Sequence, residues 1–284
     1  TGNELYSIVT IINTILIWGC VMLIERINAQ IKRKAAERNL YPQFDFLSIK
    51  NATQFYIPTK YQNVNPGRED EPIFSHKYVS RAALIPFFLK TGFIQKRDSE
   101  RFYLILADSG MGKTTFMINL YMSYTSFWNF RRGKNEKIKL FRLGEKDTLD
   151  LVKRIKRDEA KNTVLLMDAL DEDPFILPQE DSISDDDAFR KRVDEIIEAT
   201  RNFKEVVMTC RTQYFPGQED DPYELKVKRP DEKGYFTLNK LYISPFDDGE
   251  ERQYLNKKYR WWHLWKHKRK TKAQQIVKNS PKLV

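Results

Sequence analysis

The stretch LILADSGMGKTTF, Leu104 to Phe116, constrains the fold more than any other. An unbroken apolar run ends in a turn holding Gly110 and Gly112, and Lys113, Thr114 and Thr115 then open a helical pattern. A strand apolar on both faces that feeds directly into a helix belongs in a parallel sheet covered on both sides. The rest of the chain repeats that alternation. Strand-like runs are RFYLILA (101–107), KIKLFRL (137–143), NTVLLMD (162–168), EVVMTC (205–210) and YFTLNKLYI (235–243). Helical spacing falls between them, in 113–127, 147–161 and 185–203. The expectation is an α/β fold, a doubly wound, mostly parallel five-stranded sheet.

The glycine turn has a chemical reading. Strand, glycine loop, Lys-Thr and helix follow the order of a P-loop, with Ala107 where the motif's first glycine stands. In that arrangement the backbone from Ala107 through Asp108, Ser109, Gly110, Met111 and Gly112 to Lys113, Thr114 and Thr115 surrounds phosphates with N–H groups. Lys113 then reaches the β and γ phosphates, and the Thr114 hydroxyl takes Mg²⁺. Such a loop needs a second partner for the metal. The segment MDALDED, Met167 to Asp173, ends another apolar strand with four carboxylates. Asp168 is placed to hold Mg²⁺, and the small Ala169 leaves room beside it. Asp171 and Glu172 are placed to orient or deprotonate an attacking water. Asp173, followed by Pro174, reads as the first residue of a solvated acidic loop that runs to Asp187.

Aspartate, small residue, hydrophobic residue, aspartate, glutamate resembles the extended Walker B of the NACHT family of P-loop ATPases. These occur in animal innate immune receptors and in bacterial signalling and anti-phage proteins. VVMTCRTQYFP, Val206 to Pro216, is similar to the family's sensor strand, which lies between the P-loop and Walker B strands. The resemblance implies that Arg211 faces the γ-phosphate and distinguishes ATP from ADP. It also implies that LNKLYISPFDDGEERQYLNKKY opens the helical domain that follows the core. Together these imply a nucleotide-dependent switch that uses ATP and Mg²⁺, forms homo-oligomers in the ATP state and hydrolyses ATP slowly, with bacterial defence as one setting. Two other readings stay open: a nucleotide-binding scaffold without significant turnover, and a nucleic-acid-stimulated P-loop ATPase. KAP-type membrane NTPases also join membrane helices to a P-loop domain, but their Walker B pattern and inserted helices do not match here.

Leu5 to Ile24 carries no charge over twenty residues, enough helix to cross one hydrocarbon core. Glu4 precedes the run, and Arg26, Lys32, Arg33, Lys34 and Arg38 follow it, with no Lys or Arg before it. An uncleaved single-pass anchor with everything downstream cytoplasmic is expected. The anticipated organisation is an anchor over 1–24, a juxtamembrane helix and linker over 25–74, the nucleotide domain over 75–243 and the start of a helical domain over 244–284.

The formal charge of +10 lies entirely in the C-terminal region, where Arg252 to Val284 hold eleven Lys or Arg and no Asp or Glu. That stretch, with Trp261, Trp262 and Trp265, suits an anionic membrane, nucleic acid or packing on a neighbouring domain. Of these, nucleic acid is not the favoured partner. His263 and His267, four residues apart, lack a carboxylate or Cys beside them and do not read as a metal pair. His76 has no evident partner. Cys20 and Cys210 imply no disulfide framework, in keeping with a reducing compartment.

Overall fold

The computed structural model describes residues 2–40, 43–62, 81–94, 101–126, 136–176, 185–214, 224–228 and 235–259. The tail with His263 and His267, His76, residues 63–80 and the acidic stretch 177–184 lie outside the described residues.

Within the described residues the chain is mixed α/β, built on a mostly parallel sheet. The strands are β1 (Lys60–Gln62), β2 (Ala82–Ala83), β3 (Phe102–Leu106), β4 (Lys137–Arg142), β5 (Thr163–Asp168), β6 (Glu205–Cys210), β7 (Glu224–Lys228) and β8 (Tyr235–Ile243). Their order is β2-β1-β8-β3-β6-β5-β4, with β7 also paired to β8. The run β8-β3-β6-β5-β4 is parallel throughout. Those five strands fall where the apolar runs place them.

The expected count of five strands is too low, because among the described residues the sheet has eight. β8 would otherwise leave one edge unpaired. β7 pairs antiparallel with its first half, Glu224 opposite Asn239, and β1 with its end, Tyr61 opposite Ile243. β2 then pairs antiparallel with β1. Two and three residues are too few to show a period in sequence, so β1 and β2 exist only through this edge pairing.

The parallel strands sort their side chains to two faces by simple alternation. Tyr103, Ile105, Val164 and Leu166 face one core, and Phe102, Leu104, Leu106, Leu165 and Met167 face the other. The first core is covered by α4 (Lys113–Thr125), α2 (Phe46–Gln54), α3 (Leu84–Phe87) and the end of α1 (Gly2–Leu40), through Phe116, Ile49, Leu84, Ala36 and Leu40. The second is covered by α5 (Thr148–Lys153) and α7 (Asp185–Thr200), through Leu149, Val152, Phe189, Val193 and Ile196.

α1 is one continuous helix, and by length and composition it is long and apolar enough to cross a membrane. Ile11, Ile15, Leu16 and Trp18 are all more than half exposed, so none of the other described residues covers this part of the helix. At its other end Ala36 and Leu40 are buried against the body. α2 follows after a short turn, N-capped by Asp45, whose carboxylate accepts from the Ser48 N–H at 2.8 Å. It is tied to α4 by buried Asn119, whose amide donates to the Ala52 and Thr115 carbonyls at 2.8 and 2.7 Å.

One helical expectation changes. Residues 147–161 form two helices, α5 and α6 (Arg157–Ala160), because Lys156 adopts an extended conformation between them. Pro86 sits in the first turn of α3, where a missing N–H costs nothing. A π-helical turn, Phe88–Gly92, continues from it. α8 (Asp248–Lys258) opens with a reciprocal cap: Asp247 accepts from the Glu250 N–H at 2.9 Å, and Glu250 accepts from the Asp247 N–H at 3.0 Å.

Candidate functional site

The site forms at the carboxyl ends of β3, β6 and β5, three adjacent parallel strands. In parallel α/β sheets this is where ligands are bound, since the connecting loops and helix N-termini converge there. From β3 the chain turns through Ala107 to Gly112 into α4. Gly110 and Gly112 both take φ of +83°, a left-handed conformation that a side chain resists. Gly112 is also the N-cap of α4, so the first-turn N–H groups of that helix point into the site. Lys113 Nζ donates to the Ala107 and Asp108 carbonyls at 2.7 and 3.0 Å, which holds the ammonium over the loop. Burial lowers its pKa, opposed first by the negative charge of Asp171.

From β5 comes Asp168, 1% exposed, with both carboxylate oxygens engaged. Oδ2 accepts from the Thr114 hydroxyl and Oδ1 from the Thr209 hydroxyl, each at 2.7 Å. The first bond joins residues far apart in sequence and brings the start of α4 onto the end of β5. Burial raises the Asp168 pKa, and the two hydroxyl donors oppose the rise. The Thr209 hydroxyl in turn accepts from the Ala169 N–H at 2.8 Å. Ala169 has φ of +61°, the one non-glycine residue with positive φ among those described. A small side chain there limits the steric cost of turning the chain sharply after Asp168.

That turn separates the next three acids. Asp171 is buried and faces Arg211 at the end of β6: Arg211 Nε lies 2.7 Å from Oδ2, and the Arg211 N–H donates to Oδ1 at 3.1 Å. Glu172 is about half exposed and meets Arg142 Nη2 of β4 at 3.5 Å. Gly144 packs against it, where an added Cβ would sit 3.5 Å from the Glu172 Cβ. Asp173 points away from the site and is 0% exposed. Its Oδ2 meets Arg192 Nε of α7 at 2.8 Å, its Oδ1 accepts from the Phe175 N–H at 2.9 Å, and the Arg192 guanidinium lies 4.4 Å from the Phe175 ring centroid. The expectation that Asp173 begins a solvated loop is therefore wrong. A carboxylate with a buried arginine partner belongs to the core, and sequence alone does not show the pairing because Arg192 is one of several cations on α7.

The structure thus gathers Lys113, Thr114, Asp168, Asp171, Glu172 and Arg211 around one loop. Two residues were not singled out from sequence as functional. Thr209 precedes Arg211 by two positions and holds the buried side of Asp168. Arg142 pairs in register with Asp168 on the neighbouring strand and reaches Glu172. Cys210, between Thr209 and Arg211, is fully buried, and burial pushes its thiol pKa up to about 12, so it is inert packing.

Among the described residues no cluster of three or more His, Cys, Asp or Glu is placed to hold a metal. The paired oxygens of Thr114 and Asp168 do suit a hard divalent cation that takes its remaining ligands from phosphate and water, as Mg²⁺ does. No protein-family model matches this chain, and no curated protein matches it.

Proposed function

We propose that this chain is a membrane-anchored, NACHT-type P-loop ATPase working as a nucleotide-dependent signalling switch, with its nucleotide domain in the cytoplasm. The observation that carries the reading is the 2.7 Å bond between Thr114 Oγ1 and Asp168 Oδ2, at the mouth of a loop with two left-handed glycines. Two oxygens held together at a helix N-terminus serve a phosphate-bound cation. The parallel order, with β6 between β3 and β5, supports the same reading, since that is where the resemblance puts a sensor strand.

In this reading Lys113 and the first-turn N–H groups of α4 bind the phosphates, and Thr114 and Asp168 hold Mg²⁺. Bound Mg²⁺ would neutralise charge on the transferred phosphoryl group. Glu172, about half exposed, positions the attacking water. Asp171 holds Arg211, which reads the γ-phosphate, and exchange of ADP for ATP would release that pair and favour homo-oligomers. α1 anchors the domain through residues 5–24.

Asp168→Asn tests this. The Asp168 pKa is raised above that of the unfolded chain, so the folded state keeps a proton that the unfolded chain loses. The stability contributed by this group therefore falls as pH rises from the ordinary carboxylate range through the raised value. Near neutral pH the asparagine variant should be as stable as the parent or more so, by on the order of 1 kcal/mol, because a buried charge is gone. Its Mg²⁺-dependent ATP hydrolysis should be lost. Retained hydrolysis would sink the reading.

A further inference from the structure

α1 ends in an elbow that touches two elements of the site. The Leu40 carbonyl, at the last residue of α1, accepts from the Gln43 and Phe44 N–H groups at 3.1 and 3.0 Å, which closes the turn toward α2. On one side the elbow meets α4, the helix of Lys113 and Thr114. The Tyr121 hydroxyl hydrogen-bonds the Asn39 side chain, and Asn119 ties the Ala52 carbonyl to that of Thr115. On the other side it meets the end of β4, the outer strand of the parallel run. Gln43 Oε1 accepts from the Arg142 N–H at 2.9 Å, and the Arg142 guanidinium lies 5.9 Å from the ring centroid of buried Phe44. The elbow therefore touches both the backbone and the side chain of Arg142.

The exit of β4 in turn meets Glu172 twice. Arg142 Nη2 lies 3.5 Å from Glu172 Oε2, and an added Cβ on Gly144 would sit 3.6 Å from the same oxygen. While that oxygen faces Arg142 it is not free to accept from an attacking water. The contact is long and its partners are 40% and 45% exposed, so it exchanges readily for water.

α1 reaches the elbow as a stiff rod. From Ile24, where the apolar run stops, to Leu40 is about 24 Å of helix, and residues 25–40 hold no Gly or Pro at which it would kink. Of residues 10–40 only Ala36 and Leu40 are buried, so a change in the tilt of α1 is passed to the body at its last two turns and the elbow.

We infer that Arg142 is a positioning residue for Glu172, set by the elbow at the end of α1, so that tilting α1 in the membrane frees Glu172 and speeds hydrolysis. This rests on the readings of α1 as a membrane span and of Glu172 as the residue that positions water. The two states differ in one contact: Glu172 drawn to Arg142, as the structure has it, or turned to the water. α1 biases the choice through Gln43 and Phe44, which are in direct contact with Arg142.

The test uses the full chain in phosphatidylcholine vesicles whose acyl chains are short in one set and long in the other. A span longer than the hydrocarbon layer tilts, so the short chains pull on the elbow. Flotation with the vesicles after an alkaline wash establishes insertion. Single-turnover hydrolysis by the parent should run about two- to five-fold faster in the short-chain set, the range for giving up one exposed ion pair, with ATP affinity equal in both. Arg142→Met should hydrolyse at the faster rate in both sets. Gln43→Met, which removes the acceptor and leaves Arg142 in place, should likewise lose the difference. Equal parental rates in the two sets, or a difference that survives Arg142→Met, overturns the coupling and leaves the ATPase reading standing. A difference carried by ATP affinity instead of rate also overturns it, since the pull would then act on the phosphate loop through α4. A parent that inserts but hydrolyses no ATP overturns the ATPase reading and the coupling together. A chain that washes off the vesicles overturns the span and with it the coupling.

Discussion

Arg192→Ala is expected to destabilise the protein by about 3–5 kcal/mol, the cost of leaving a buried carboxylate without its partner. Asp173 is 0% exposed and Arg192 9%, so water cannot replace the guanidinium. The same substitution removes the stacking on Phe175 and the 2.9 Å contact to Glu195. Chemical denaturation of the detergent-solubilised chain reads the loss as a lower midpoint with an unchanged slope. Asp173→Leu combined with Arg192→Met should recover most of it, because an ion pair replaced by apolar groups of similar volume is often neutral. The recovery would be incomplete, since the Phe175 N–H loses its acceptor. A loss below about 1 kcal/mol for Arg192→Ala would mean that the pair is solvated after all.

Glu172→Gln should lower the rate of ATP hydrolysis by about 10²–10⁴-fold, the range for removing a general base, while leaving ATP affinity close to that of the parent. The structure separates this acid from its neighbour. Asp171 has both oxygens taken by Arg211, whereas Glu172 is about half exposed, with a single weak contact to Arg142. Asp171→Asn should therefore act differently, weakening the hold on Arg211 and altering discrimination between ATP and ADP more than turnover. Single-turnover kinetics beside equilibrium binding distinguish the two variants. If Glu172→Gln hydrolyses ATP at the parental rate, the assignment of the water-positioning role fails.

The long strands and the loop were legible because each carries a local pattern. Five apolar runs and the glycine turn predict β3, β4, β5, β6 and β8, since strands covered on both faces must be apolar throughout. α8 was anticipated only where LNKLYISPFDDGEERQYLNKKY resembles the opening of a helical domain. β1, β2 and β7 were not, because they exist to complete the edge of β8 and have no pattern of their own. α2 carried one usable signal, Asp45 three residues before Ser48, inside a stretch whose aromatics and prolines otherwise suggest a linker. Asp168, the last residue of β5, could be placed at the site from its position alone. The different fates of Asp171, Glu172 and Asp173 depend on which cation each meets, and Arg211, Arg142 and Arg192 come from three separate elements. Sequence spacing within MDALDED holds no information on that choice.

Equilibrium binding of ATP to the parent and to Lys113→Ala decides whether the loop from Ala107 to Thr115 holds the phosphates of a nucleotide. Mg²⁺-dependent binding to the parent is expected, with at least about ten-fold weaker binding to the variant, since Lys113 would supply a charge-assisted contact to phosphate. Binding that Lys113→Ala leaves unchanged, or a parent that binds no nucleotide with Mg²⁺ present, would contradict it.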